Sequence, residues 1–379
     1  MITQLLLKNF TAFTDLTVDF SPGINIVIGE NGTGKTQLLK AILALSSPDA
    51  SGEPAGEPLA RKLCRLYHPL SGQVGELRRA GTRGDAQVSA TFASGRHISA
   101  RFSGSAGAIK LSASNMGAAL PAVFIPTKEV LSLVQGLTAE QPDLSTIERI
   151  FDDGYLDLAL LLAKEGAGDL NAKVQLHPRL GSIVPRLTNL IDGLYQLEGR
   201  RFVFQPGRFV ERAASSRSRA QHAQMYQDST EWVFVPSSKH RLSSGMTAEG
   251  FRKIGVLQRL LSNGSLNPGT TGPLLWDEPE SNLNPKLMKD LVLALLELAR
   301  NGQQVILATH DYVLLKWFDL LMDKGKGDHV VFHRLYRAEG SDIVQRESLA
   351  DYNIVGRSAI SNTFAELYDE DVRRALGGD

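Results

Sequence analysis

Residues Ile24 to Leu43 read INIVIGENGTGKTQLLKAIL, and the order of parts in this stretch decides the fold. INIVI is a short run of β-branched and apolar residues, the pattern of a strand buried on both faces, and TQLLKAIL has the three-to-four spacing of a helix with an apolar side. Between them Gly29, Gly34, Lys35 and Thr36 satisfy G-x-x-x-x-G-K-[ST]. Strand, glycine loop and helix in succession make a phosphate cradle: the glycines let backbone N–H groups turn inward, the helix start adds the positive end of its dipole, and a lysine supplies mobile charge. On this reading Lys35 is a catalytic cation and the Thr36 hydroxyl a magnesium ligand. Gly29, Glu30, Asn31, Gly32, Thr33, Gly34 and Gln37 form the rest of the nucleotide wall.

A cradle needs acids to do chemistry, and GPLLWDEPESNLNP provides them at Asp277 and Glu278 after the apolar run Leu274 to Trp276. A strand ending in two adjacent carboxylates can divide two tasks: Asp277 holds the metal and Glu278 orients or deprotonates the attacking water. A third strand, in QQVILATHDYVLL, ends at Thr309, His310 and Asp311. Ligands in open α/β sheets gather at the C-terminal ends of the strands, so His310 is placed to bond a γ-phosphate or its water.

In its 379 residues the chain carries 41 Lys and Arg against 41 Asp and Glu. That balance excludes wholesale wrapping of nucleic acid or adhesion to a membrane by charge, and leaves only local contacts. Cys64 is the single cysteine, which excludes an internal disulfide and fits a reducing compartment. No stretch reaches the roughly 18 apolar residues of a membrane span, and the N-terminus lacks a signal pattern. A cytoplasmic protein of one large or two modest domains is expected.

With three strand ends in place, the chain resembles the ABC-class ATPases of the SMC, RecF and overcoming-lysogenization-defect (OLD) type. The likeness rests on LLLKNFTAFTDLTVDFSPGINIVIGENGTGKT at the start, on LLWDEPESNLNP with Ser281 to Pro285 as the D-loop, and on ATHDYVLL as the switch-histidine segment. It covers roughly residues 1 to 45 and 240 to 335. It implies an α/β P-loop NTPase, an ABC-type ATPase head with a mixed sheet, helices on both sides and an antiparallel β subdomain. It also implies ATP and Mg2+ as ligands, Phe10 and Thr11 near the adenine, and paired heads that sandwich nucleotide, each capping the other's γ-phosphate with a signature glycine. Two glycines compete for that part, Gly245 in LSSG and Gly250 in AEGFRKIGVLQRLL. Gly250 has the better register, because a helix carrying Arg252, Lys253 and Arg259 follows it directly. Ala248 then stands where a serine is usual, so Ser244 or Thr247 would supply the hydroxyl. Gln73, in LSGQVGE, is the candidate glutamine-loop residue and metal neighbour, and equally reads as a surface turn.

The chain divides by pattern into 1–127 and 229–379 as the two halves of the head, with 128–228 as a mostly helical insertion. SSPDASGEPAGEP reads as a flexible link, residues 85 to 114 as antiparallel strands, and the segment after Arg334 as a strand pair and a terminal helix, with no room for an appended Toprim nuclease. Arg200, Arg201, Arg208, Arg212, Arg217 and Arg219 form a basic segment able to meet nucleic acid or an acidic protein, and equally able to be a solvated loop. Family likeness points to the ATPase of an anti-phage defence system that works with a separately encoded effector. The rivals are a RecF-like repair ATPase on duplex DNA, a transporter's nucleotide-binding subunit, and a nucleotide-locked scaffold without turnover.

Overall fold

The structure is a computed structural model that describes residues 1–47, 57–114, 120–139, 144–165, 182–213, 230–352 and 359–376. Strands β1 (Ile2–Phe10), β2 (Phe13–Asp19) and β3 (Ile24–Gly29) lead into helix α1 (Lys35–Leu45), and α2 (Glu57–Tyr67) precedes β4 (Ala86–Phe92), β5 (His97–Phe102), β6 (Lys110–Ser114) and β7 (Val123–Ile125). The middle holds α3 (Val134–Leu137), α4 (Leu144–Ile150), α5 (Asp153–Ala163), α6 (Ile183–Leu190), β8 (Gly193–Glu198), β9 (Arg201–Ala213), β10 (Thr230–Pro236) and β11 (Leu242–Ser243). Then come α7 (Glu249–Ser262), β12 (Leu274–Asp277), α8 (Pro285–Arg300), β13 (Val305–Thr309), α9 (Tyr312–Leu321), β14 (Val330–Arg337), β15 (Val344–Leu349) and α10 (Ala359–Ala375).

The central sheet runs β15-β14-β3-β13-β12-β7, parallel from β7 to β14 and closed by the antiparallel β14–β15 pair. All six residues of β3 are buried. Period two along the strands divides their side chains between two cores. Ile24, Ile26, Ile28, Leu274, Trp276, Val305 and Leu307 face the larger cluster, built with α7, α8 and the middle helices. Val27, Leu275, Ile306 and Ala308 face the second, built with α1, α2 and the antiparallel sheet β2-β1-β4-β5-β6. Burial on both faces is why these strands read as unbroken apolar runs rather than alternating ones.

The middle of the chain corrects the expectation of a mostly helical insertion. Among its described residues the helices end at Leu190, and from Gly193 the chain builds an antiparallel sheet of β8, β9, β10 and β11. The spacing of Ile191, Leu194 and Leu197 imitates a helix, but Asp192 takes a left-handed φ of 53° and breaks it. Beyond it the aromatic and β-branched residues Tyr195, Phe202, Val203 and Phe204 suit a pleated surface. The sheet also crosses the expected boundary at 228, since β10 pairs with β9. Arg201 and Arg208 therefore lie on a strand, Arg200 in the turn before it, and Arg208 is paired with Asp192 at 2.5 Å. The basic segment is thus not one loop. Arg217, Arg219 and most of the SSPDASGEPAGEP link lie outside the described residues.

One buried polar cluster staples the sheet edge beside β3. His333 on β14 is fully buried, with Nε2 3.2 Å from Asn25 Oδ1 and Nδ1 2.8 Å from Ser348 Oγ. Burial, helped by the charge of Arg346, pushes its pKa down to about 4. Between that value and the ordinary 6.5 the unfolded chain takes up a proton that the folded chain refuses, so stability is lost as pH falls through this window. The full loss is about 3 kcal/mol. Urea unfolding at pH 7, 5.5 and 4.5 checks this: wild type should weaken steeply, and His333→Gln, weaker at pH 7, should show a shallower decline.

Candidate functional site: the phosphate loop and the acidic strand end

The loop between β3 and α1 closes on its own lysine. Lys35 Nζ donates to Gly29 O at 2.7 Å and Glu30 O at 3.1 Å, and Thr33 Oγ1 donates to Glu30 O at 2.8 Å. Burial lowers the Lys35 pKa, while the carboxylates of Glu278, Asp277, Glu280 and Glu30 act to raise it. Gly34, the N-cap of α1, has φ 92°, and a Cβ there would lie 2.6 Å from the Phe13 ring. Only glycine meets both demands. Asn31 and Gly32 are exposed at the rim, and Gln37 Oε1 accepts from Ala12 N at 3.1 Å, tying α1 to the β1–β2 turn. The Arg337 guanidinium reaches the loop from β14 and donates to Gly32 O at 2.7 Å.

The parallel register brings β12 and β13 to the same edge. Asp277 Oδ2 accepts from Thr36 Oγ1 at 2.8 Å and from Thr127 Oγ1 at 3.0 Å, while Asp277 Oδ1 is buried with no hydrogen-bond partner. Burial pushes the Asp277 carboxyl pKa up against these two donors. An unpartnered buried carboxylate oxygen flanked by hydroxyls is a hard-oxygen donor set, and it fits a magnesium ion at Thr36 and Asp277. Glu278 follows with a left-handed φ of 46°, its N–H held by Ala308 O at 2.8 Å. His310 Nδ1 lies 3.3 Å from Glu278 Oε1 and 3.8 Å from Glu280 Oε1.

Two more residues join this edge, Glu280 and Lys253, the latter expected only as a basic residue of the helix after Gly250. Glu280 is buried, accepts from Thr309 Oγ1 at 2.7 Å, and leaves Oε2 unpartnered; burial raises its pKa. Its signal was the third acid of DEPE. Lys253 is 1% exposed and donates from Nζ to Glu278 O at 3.1 Å; burial lowers its pKa to about 8.

Two expected residues, Gln73 and Phe10, behave differently. Gln73 is exposed at the cap of a short 3-10 turn (Val74–Leu77), and no bond joins it to Thr36 or Asp277 among the described residues. Thr127, just after β7, has the place beside Asp277, because β7 pairs in parallel with β12 and ends at the same edge. The Phe10 ring is fully buried edge-on to Tyr67 and Phe102, with centroids 5.3 and 6.4 Å away, so it faces the core rather than a base. Thr11 occupies the β1–β2 turn with φ 48°.

Gly250 lies at the start of α7, after the N-cap Ala248. It is buried, and a Cβ would sit 2.8 Å from Asn282 O of the same chain, whereas Gly245 is exposed with nothing within 4 Å. Thr247 Oγ1 is engaged with Ser244 O at 2.7 Å and Tyr195 Oη at 2.5 Å. Asn284 caps α8 by accepting from Lys286 N at 3.0 Å.

Residues 4–92 match an AAA domain family, and residues 175–316 match the family described as "AAA domain, putative AbiEii toxin, Type IV TA system". The DNA replication and repair protein RecF of Limosilactobacillus reuteri is 50% identical over 46 residues, 12% of each chain; RecF of Bifidobacterium longum subsp. infantis is 31% identical over 96 residues, 25% of this chain and 21% of that one. The chain thus spans an eighth to a fifth of these curated relatives. A solved SMC head, bound to the C-winged helix domain of ScpA, superposes with a TM-score of 0.52 at 14% identity, over 92% of this chain and 97% of that one. The chain resembles RecF over these short stretches. Its fold is that of an SMC head, with the P-loop edge described above at its centre. Among the described residues no helix is long and apolar enough to cross a membrane, and no cluster of three or more His, Cys, Asp or Glu suits a metal.

The close approach at Gly250 predicts a difference between two glycines of this SMC-like head. Gly250→Ala should cost about 1–3 kcal/mol by overpacking against backbone, and Gly245→Ala less than about 0.5 kcal/mol. Denaturant unfolding of the two variants measures it.

Proposed function

We propose that this chain binds ATP at the P-loop and hydrolyses it with Mg2+, that two copies close on each other around the nucleotide, and that closure controls a partner protein. One observation supports the hydrolytic reading above the rest: Asp277, held by Thr36 and Thr127 with one oxygen unpartnered, stands directly before Glu278, whose carboxylate meets His310. Magnesium, when bound by Thr36 and Asp277, would neutralise charge on the phosphate oxygens. Lys35 exchanges its carbonyl partners Gly29 and Glu30 for phosphate. Glu278 takes the proton of the attacking water, and His310 orients that carboxylate. In this reading Gly250 caps the partner copy's nucleotide, and the middle elements from α3 to β11 face the partner. The setting we favour is cytoplasmic anti-phage defence with a separately encoded effector, a reading that rests on the likeness of the sequence motifs to OLD-type ATPases. The RecF matches favour a second reading, direct binding of duplex DNA through Arg201 and its neighbours.

Lys35→Ala should lose ATP binding, whereas Glu278→Gln should bind ATP and hydrolyse it about 100-fold more slowly; equal affinity and turnover in both would end the hydrolytic reading. Thr127→Val removes one donor to Asp277 and should raise the Mg2+ concentration for half-maximal turnover several-fold. For the setting, phage plating on cells that carry the chain and its partner gene should be restored by Glu278→Gln. A salt-dependent shift of duplex DNA by the isolated chain would favour the second reading instead.

A further inference from the structure

Helix α7 is anchored at both ends to different parts of the molecule. Near its C-terminal half Gln258 Nε2 donates to Thr188 Oγ1 and to Gly193 O, both at 3.0 Å, and Arg259 Nε donates to Leu162 O at 3.0 Å. Tyr195 lies on Gly255 so closely that a Cβ would meet its ring at 2.2 Å. These contacts fix α7 to α5, α6 and β8. At the other end three contacts grip the turn after β12: Gly250 against Asn282 O, Asn282 Nδ2 donating to Glu249 Oε1 at 2.8 Å, and Lys253 Nζ donating to Glu278 O at 3.1 Å.

Lys253 is the member of this grip that calls for a reason. An ammonium 1% exposed carries a desolvation penalty, and an apolar side chain of similar length would fill the space without it. What it holds is the carbonyl of the residue whose backbone is left-handed at φ 46°, a conformation that is strained for a non-glycine residue and persists only where its surroundings impose it. Glu280, buried with one unpartnered oxygen, lies close enough to favour the charged lysine. We infer that Lys253 is a positioning residue: it sets the backbone from which the Glu278 carboxylate is aimed, and through α7 it transmits the placement of α5, α6 and β8 to that carboxylate. The inference rests on the hydrolytic reading of the site. It assigns the middle of the chain a route to the chemical step that does not pass through nucleotide affinity.

The test uses the full chain with Lys253→Met, Glu278→Gln and the double variant, measuring turnover and the affinity for a fluorescent ATP analogue. Lys253→Met should lower kcat at least about 10-fold with affinity within about 3-fold, and should cost little more in the Glu278→Gln background, because a residue acting through Glu278 has nothing left to position. A parallel loss of affinity, or an undiminished further loss in the double variant, overturns the inference. If Lys253→Met does not fold, Glu249→Ala opens the same grip from the solvent side and should show a smaller loss with the same non-additivity; additive behaviour there overturns it equally. A wild-type chain that hydrolyses no ATP, or a Glu278→Gln chain as fast as wild type, removes the hydrolytic reading itself and is told apart by those two measurements alone.

Discussion

A single buried carboxylate organises the functional edge of this molecule. Asp277 ends β12 with one oxygen satisfied by two threonine hydroxyls and the other left without a partner. Those hydroxyls come from α1, just after the glycine loop, and from the chain leaving β7. The desolvation cost of such an anion is tolerable only while both donors are in place, so three separate segments are held to a common edge by one charge. Lys35 and Glu278, neighbours of these residues in sequence, inherit their positions from it.

The scaffold that keeps this edge in register is the doubly buried parallel sheet. Each of β3, β12 and β13 sends alternate side chains into two cores, so a slip of one residue along any of them would exchange the whole set and move the strand end. His333, bonded to both Asn25 and Ser348, fixes the outer side of β3 in the same way. The glycine loop thus stands on a strand restrained by parallel neighbours on both sides, β13 and β14.

The middle segment is tied to this edge by α7. The helix meets both the acidic turn and the elements β8, α5 and α6, and the grip at its start includes a fully buried ammonium and a glycine lying against backbone. Through α7 the middle elements are connected to the backbone of Glu278.

Local pattern was enough to read the strand, loop and helix around Gly29 to Thr36, the acids at 277 and 278, the histidine at 310, the antiparallel strands of residues 85 to 114 and the strand pair and helix at the end. Each is written in contiguous residues whose spacing expresses its own geometry. Contacts between segments far apart in sequence were a different matter. Thr127 rather than Gln73 beside Asp277, Phe10 turned into the core, the sheet in place of helix after Asp192, and Lys253 under Glu278 depend on which strand lies next to which. Sequence by itself determined the local elements and which polar residues stand at the three strand ends, because short-range sterics and side-chain period act within a few residues. Only the tertiary structure decided which side chains meet there, because strand neighbours and the depth at which a charge is buried are set by packing across the whole sheet.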